Sequence, residues 1–588
     1  MNLQQSIEQA TELHRAGRLQ DAERLYRQIL AIDPNIPDVL QLLGIVVSQL
    51  GRHDAAVELI RKAIAINPRA AVYHGNLALA LDKLNRLDEA AASFQTALDL
   101  GSLDPNVLTN FASNLRKRKK LEPAIALARQ ALDLLPDFPE GRNNLGVALF
   151  DAGRIDEAID QYRAALRLRP QYPEAHNNLG NALQKKKMFQ QAIAEFQDAI
   201  SLRPDYFEAM MNLGVACQAL GETDRSIQAY RQSLALRPDF YEAHLNLGQA
   251  LCDLRDFPGA IAEFRKAIAL RPDDPDAHFH LSGVLLLTGN FSDGWREYEW
   301  RLLKPGIGFS ESQFAKPRWT GQDLAGKHIF LHSEQGAGDF IQFCRLAPLL
   351  TKRGAHIILG CPRQLFRLLH SLSGISELAT QSPPADQYDF RCYLLSLPLL
   401  LGLTLANIPA NIPYLHAEPA LCANWQSRLA SLGARKKIGL AWAGNPRHTN
   451  DHNRSIPLAS FSPLSELHNV AFISLQKDDS RNQPPPPGLE LIDFTADLSD
   501  YADTAALITN LDLVISADTS VAHLAGAMGK PVWTLLPSHP DLRWLLDRPD
   551  SPWYPTMRLF RQPAPGDWQT PIGAIADALR SFALNKDD

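Results

Sequence analysis

Apolar and polar positions alternate along this chain with two different rhythms, and the change between them divides it. Up to about residue 305 the pattern is helical and repeats itself every 34 residues. Prolines close successive helical patterns at Pro34, Pro68, Pro136, Pro170, Pro204, Pro238 and Pro272, with Ser102 breaking the series once and Pro305 one residue from the next position. Small residues recur at Ala10, Gly44, Ala78, Ala112, Gly146, Gly180, Gly214, Gly248 and Ser282, where the two helices of a hairpin must approach closely. A second small series follows twelve residues later, at Ala22, Ala56, Ala90, Ala124, Ala158, Ala192, Ser226, Ala260 and Gly294. The combs predict nine helical hairpins over residues 1–305, none able to bury its apolar face without a neighbour.

After WREYEWRLLKP the helical rhythm stops, and a linker over 306–326, with Gly306, Gly308, Pro317 and Gly321, leads to short apolar runs that read as buried strands. KHIFLHSE (327–334), the turn at Gly336, Gly338 and Asp339, the helical stretch IQFCRLAPLLTKRG and HIILGCP (356–362) make one strand, turn, helix, strand unit. A second series starts at KKIGLAWAG (436–444). It continues through AFISLQK (471–477), a helix around DTAALITNLD, LVISADT (513–519), a helix SVAHLAGAMG and PVWTLLP (531–537). Two such series predict two Rossmann-like halves, 327–417 and 418–562, followed by a helix over 563–588. Ligands of such sheets sit beyond the carboxyl ends of the strands. The segments expected there are SEQGAGD, WAGNPRHTNDHNR, SLQKDD and SADTSVAH.

Composition narrows the function classes. With 45% apolar residues the chain can bury several cores, and its net charge of −6 speaks against nucleic acid as a partner. The one run of like charge, Arg116 to Lys120, falls between two helical segments and reads as a solvated turn. Cys217, Cys252, Cys344, Cys361, Cys392 and Cys422 lack paired or metal-ligand spacing, so neither a disulfide framework nor a zinc site is expected, and a reducing cytoplasm fits. The segment MNLQQSIEQATELHRAGR has no secretory pattern. Cys392 to Ala417 carries no Asp, Glu, Lys or Arg, but Pro398, Gly402, Asn407 and Pro409 interrupt it, so it reads as buried core rather than a membrane span.

The 34-residue pattern, clearest in NNLGVALFDAGRIDEAIDQYRAALRLRP (143–170), resembles the tetratricopeptide repeat. The resemblance implies an all-α superhelix with a concave groove for a protein or peptide partner. Two residues before the first small comb stand Asn76, Asn110, Asn144, Asn178, Asn212 and Asn246. Amide side chains both donate and accept, so such a ladder can hold an extended peptide by its backbone. Protein O-GlcNAc transferases use a similar ladder, although NLG is also the ordinary consensus of the repeat.

QGAGDFIQFCRLAPLL (335–350) and ISADTSVAHLAGAMGKPVWTLLP (515–537) resemble the glycine-rich opening loop and the donor-binding loop of the heptosyltransferase-type enzymes (glycosyltransferase family 9). The resemblance implies an α/β GT-B-like pair of Rossmann-like domains that transfers sugar from an ADP-, UDP- or GDP-linked donor with inversion, and expects no metal or other cofactor. Asp339 matches the family's general base, or else serves as a helix cap. Asp518, Thr519, Ser520 and His523 match the donor loop, where a helix start with its Thr519 to Val521 amides favours a diphosphate. His523 faces either the phosphates or the core. Arg454 matches a basic donor contact, and Gln476 and Lys477 at a strand end are further donor candidates, whereas the adjacent Asp478 and Asp479 read as solvated. Residues 327–417 are fewer than the family's acceptor half, which leaves the acceptor pocket open and gives the repeats room to complete it. Two alternatives stand beside this reading: a protein O-GlcNAc transferase-like enzyme, whose catalytic-half motifs are not apparent, and a non-catalytic repeat scaffold with a degenerate transferase domain.

Overall fold

A computed structural model describes residues 3–304, 314–447 and 450–584. Pro305 of the proline series, Gly306 and Gly308 of the expected linker, and His448 and Thr449 of the loop after KKIGLAWAG lie outside the described residues. The chain forms two compact units, Met1–Asn246 and Leu247–Asp588. The boundary falls inside the helix Tyr241–Asp253, within the repeats rather than at their end.

The first unit is a series of helical hairpins, from Leu3–Arg15 with Leu19–Ile32 to Phe207–Ala219 with Thr223–Leu236. Each comb has a physical reason. Helices end at Ile32, Ile66, Leu134, Leu168, Leu202 and Leu236, two residues before a proline that cannot supply the next helical N–H. At the break, the helix Leu87–Asp99 ends instead at Gly101, whose φ of +88° a glycine adopts without strain. In the first comb, a Cβ on Gly146, Gly180 or Gly214 would stand 2.5, 2.6 or 2.5 Å from the ring of Tyr162, Phe196 or Tyr230 of the paired helix. The ring occupies the space a side chain would need. Ala22, Ala56, Ala90, Ala124, Ala158, Ala192 and Ser226 of the second comb are fully buried. The run at Arg116 to Lys120 is offset by acids, Arg116 to Asp151 at 2.8 Å, Lys117 to Asp82 at 2.5 Å and Arg118 to Asp88 at 2.7 Å.

The second unit begins with the remaining repeat helices, Phe257–Leu270, Pro275–Leu287 and Phe291–Tyr298, and a 3-10 turn, Glu299–Leu303. Two parallel sheets follow. The first holds β1 (His328–His332), β2 (His356–Gly360), β3 (Glu377–Ala379) and β4 (Phe390–Tyr393) in the order β3-β2-β1-β4. The second holds β5 (Lys436–Ala441), β6 (Val470–Ser474), β7 (Leu491–Asp493), β8 (Leu513–Ala517), β9 (Val532–Leu536) and β10 (Met557–Arg561) in the order β10-β9-β8-β5-β6-β7. Counted from β5, that is the doubly wound order 3-2-1-4-5-6, whose direction reverses between β5 and β8. The short strands β3, β4, β7 and β10 are additional to those expected from sequence.

The stretch IQFCRLAPLLTKRG differs from expectation, because it is two helices, Ala337–Cys344 and Ala347–Thr351. Pro348 has no N–H with which to continue the first helix. Cys392 to Ala417 enters the core through Cys392, Leu394, Leu395, Leu397, Leu403 and Leu415, and no described helix is long and apolar enough to cross a membrane. All six cysteines are free.

The first sheet is tied to the last repeat by a buried ionic cluster. Arg301, fully buried, donates to Glu334 Oε1 at 2.8 Å and Oε2 at 3.2 Å, to Glu299 at 2.7 Å and to Ser396 at 3.1 Å. Glu334 Oε1 also accepts from the Leu395 N–H at 3.0 Å, and Gln335 donates to the Tyr298 hydroxyl at 2.9 Å. Burial works against the charge on Arg301, but Glu334 and Glu299 outweigh it and raise its pKa. These contacts hold the two residues immediately before Gly336 and so set the loop that carries Asp339.

Candidate active site

The carboxyl ends of β5 and β8, the switch point of the larger sheet, carry Arg454 and Asp518. After β5 the chain passes Gly444 and forms the short helix Asp451–Arg454. Arg454 Nη1 donates to the Asp518 backbone oxygen at 3.4 Å, and its Nε to Asp451 Oδ1 at 3.3 Å. A Cβ on Gly444 would stand 2.6 Å from Asp451 Oδ1 and 2.7 Å from Arg454 Nη2. The absence of a side chain there admits the pair.

After β8, Thr519 caps the helix Ser520–Ala527, its Oγ1 accepting from the Val521 N–H at 3.3 Å. One of the amides expected to face a diphosphate is therefore engaged by the cap. Ser520 Oγ accepts from the Tyr501 hydroxyl at 2.7 Å. The Asp518 side chain is nearly enclosed. Burial raises its pKa to about 6, against the opposing pull of Arg543 and Arg454.

The other half contributes Asp339. Gly336 is the cap of the helix Ala337–Cys344, so Asp339 lies in its first turn and is not the cap residue. A Cβ on Gly338 would be 3.0 Å from His523 Cδ2 and 3.5 Å from Ser520 Cα, so this glycine lets the helix that bears Asp339 approach the start of the Ser520 helix. Asp339 Oδ1 accepts from Arg543 Nη2 at 2.6 Å. Arg543 lies in the loop after β9, where its Nε also donates to Asp541 Oδ1 at 2.7 Å and its Nη1 to His523 Nε2 at 3.2 Å. Burial disfavours its charge, but Asp541, Asp339 and Asp518 together raise its pKa well above the usual value.

Arg543 thus joins three of the expected residues, Asp339 and His523 by hydrogen bonds and Asp518 by charge. His523 itself is buried. Because Arg543 must donate, His523 Nε2 accepts, and Nδ1 carries the hydrogen toward the Tyr554 hydroxyl at 3.0 Å. Burial first, then Arg543, Arg345 and Arg454, hold its pKa well below the usual histidine value, so the ring is neutral. His523 lies in the core, bonded to Arg543 and packed against Gly338 of the helix that bears Asp339.

Gln476 and Lys477, expected as donor contacts, bond to groups of the protein in this structure. Gln476 is buried, its Oε1 accepting from the Trp442 and Ala443 N–H groups at 3.0 Å each and its Nε2 donating to Ala443 O at 2.9 Å. It shapes the loop after β5. Lys477 Nζ donates to the Thr495 and Leu498 carbonyls and secures a neighbouring loop. Asp478 caps the turn Asp479–Asn482.

In the first unit, the asparagines make contacts between repeats. Asn178 Nδ2 donates to Asn143 Oδ1 and Asn212 Nδ2 to Asn177 Oδ1, both at 2.9 Å, and Asn246 Nδ2 reaches Met211 Sδ at 3.6 Å. Asn76, Asn110 and Asn144 are half-exposed like the other three. Part of the hydrogen-bonding capacity of this series joins successive repeats. Among the described residues, His176, Glu195 and Asp198 come close enough together to hold a metal, but His176 already bonds Glu195 at 2.7 Å and Pro170 O at 3.0 Å.

The hairpins and the paired parallel sheets define an all-α repeat array followed by an α/β, Rossmann-like region. The chain carries tetratricopeptide repeats followed by a region similar to glycosyltransferase family 9. Tetratricopeptide-repeat models match residues 13–75, 71–100, 171–239 and 245–297, among other spans, and the model described as glycosyltransferase family 9 (heptosyltransferase) matches 499–563. That last span contains Asp518, the Ser520 helix and Arg543. Protein FlbA of Caulobacter vibrioides is 29% identical over 329 residues, covering 51% of this chain and 54% of that protein, so the chain spans about half the length of the curated relative it matches. Among solved structures, the Cut9–Hcn1 hetero-tetramer of the APC/C is 22% identical with a TM-score of 0.39, covering 45% of this chain and 52% of that one. Pseudomonas aeruginosa pilF is 22% identical with a TM-score of 0.32, covering 35% and 94%.

Arg543 and Asp541 were not singled out from the sequence. The available signal was the rule already applied to the other strands, since SHPDLRW follows the carboxyl end of β9.

Proposed function

We propose that this protein is a glycosyltransferase that moves a sugar from an ADP-, UDP- or GDP-linked donor to an acceptor, without a metal and with inversion. The observation that carries the reading is that Arg543 bonds both Asp339 and His523 of the helix after Asp518, while Arg454 bonds the Asp518 backbone oxygen, near the switch point where a doubly wound sheet takes its ligand. In this reaction Asp339 takes the proton of the acceptor hydroxyl as its oxygen bonds to the anomeric carbon. The bond from that carbon to the diphosphate breaks, and Arg454 with the start of the Ser520 helix receives the departing charge. The four-stranded half faces the acceptor. The repeat array docks a polypeptide acceptor or partner, as such grooves do, and the enzyme works in the cytoplasm, where six free cysteines are at home.

Calorimetric titration of the full chain with ADP, GDP and UDP tests the donor site, and absence of binding to all three overturns it. Intact-mass screening of candidate acceptors with ADP-heptose and UDP-GlcNAc then reads out the sugar transferred. An Asp339→Asn protein that binds nucleotide and still glycosylates at the wild-type rate would refute the assignment of the base.

A further inference from the structure

Arg543 is held by two carboxylates from different halves of the α/β region. Its Nη2 is 2.6 Å from Asp339 Oδ1, its Nε is 2.7 Å from Asp541 Oδ1, and its Nη1 is 3.2 Å from His523 Nε2 in the first turns of the Ser520 helix. The guanidinium therefore lies beside the helix start at which the donor diphosphate is placed, while one arm occupies the carboxylate assigned as base. While Arg543 Nη2 bonds Asp339 Oδ1 at 2.6 Å, that oxygen is engaged by the guanidinium and not turned to an acceptor hydroxyl.

His523 is neutral and accepts from Arg543, fixed behind by Tyr554 at 3.0 Å. It holds one edge of the guanidinium without competing for its charge. Asp541 holds the Nε edge from only two residues away along the chain, so that contact travels with the β9 loop, and His523 belongs to the same half. The contact to Asp339 is the one that crosses between the halves. It is the contact that can be exchanged without rebuilding the loop.

On the donor-site reading above, we propose that Arg543 is a switching residue: its Nη2 holds Asp339 while the donor site is empty and turns to the donor diphosphate when a nucleoside diphosphate or nucleotide sugar binds, releasing Asp339 to the acceptor hydroxyl. Donor binding then precedes activation of the base. Because Asp339 and the diphosphate compete for the same Nη2 group, the pair is coupled, and the coupling runs in both directions.

The test is a double-mutant cycle read by calorimetry with ADP, GDP and UDP on the full chain. Arg543→Gln is expected to weaken binding of the preferred nucleotide roughly 10- to 100-fold, the loss of a hydrogen bond to a charged group. Asp339→Asn, which releases Arg543, is expected to tighten it by about fivefold or more. In the Arg543→Gln background the Asp339→Asn gain is expected to fall below about twofold, since only the more distant repulsion between carboxylate and diphosphate remains. Arg543→Lys, which keeps the charge without the fork, separates a folding failure from loss of contact and is expected to recover part of the affinity with a wild-type melting curve. Equal gains from Asp339→Asn with and without Arg543 would overturn the switch and leave the donor site standing. A wild-type protein that binds none of the three nucleotides would overturn both.

Discussion

Gly444 offers a way to disturb the donor site with one methyl group. A Cβ there would meet Asp451 Oδ1 at 2.6 Å, Arg454 Nη2 at 2.7 Å and Arg454 Cζ at 2.9 Å, so every atom it strikes is the far end of a side chain. Ordinary contact begins near 3.4 Å, so Gly444→Ala must push the guanidinium away by about 0.7 Å. The 3.4 Å bond from Arg454 Nη1 to Asp518 O is already long and is lost by such a move. Removing one hydrogen bond to a charged ligand group costs about 1.5–3 kcal/mol, which is roughly a 10- to 100-fold rise in Kd. The fold has little to lose, because the displaced groups are partly exposed and alanine narrows the unfolded chain's freedom, an effect worth about 0.4–1 kcal/mol in the stabilising direction. Calorimetry with ADP, GDP and UDP alongside thermal melting reads both quantities. A variant that melts several degrees lower yet binds nucleotide as the wild type does would refute the argument, since the methyl would then be felt by the fold and not by Arg454.

The other predictions concern protonation and packing. Asp518 has a folded value of about 6, above its unfolded value near 4, so the stability it contributes is complete below pH 4 and is lost as pH rises through 6. Asp518→Asn should therefore raise the melting temperature more at pH 7.5 than at pH 4.5, and an equal change at both would refute the burial argument. The Arg301–Glu334 pair is fully buried, so Glu334→Ala should cost about 3–5 kcal/mol in chemical denaturation, while replacing Arg301 with Met and Glu334 with Leu together should restore most of it. In the repeats, Gly180→Ala places a methyl 2.6 Å from the Phe196 ring and should cost about 1–3 kcal/mol. Hydrogen exchange of the hairpin Pro173–Leu202 measures that loss, and unchanged protection there would show that the ring moves freely.

The sequence by itself determined the elements and the places where chemistry is to be expected. Proline two residues past the second helix of most hairpins, and a small residue wherever a ring from the paired helix must lie, are local requirements, so they are written in register and legible without coordinates. The buried runs of the α/β region are short and apolar enough to read for β1, β2, β5, β6, β8 and β9. The three- and four-residue strands β3, β4 and β7 leave too few positions for a period, and β10 (MRLFR) mixes charge with apolar residues at a sheet edge. The segments bearing Asp339, Asp518 and Arg454 were legible as segments that follow strand ends. What only the tertiary structure decided is which groups meet. Gln476, Lys477 and His523 have the residue types of ligand contacts, yet Gln476 and Lys477 bond mainly backbone carbonyls and amides and His523 bonds Tyr554 and Arg543, because buried polar groups find partners wherever the packing places them. Arg543 stands 204 residues from Asp339, and no spacing rule joins them. The parallel sheets, and a glycine at 338 that admits a neighbouring helix, bring the two side chains to 2.6 Å.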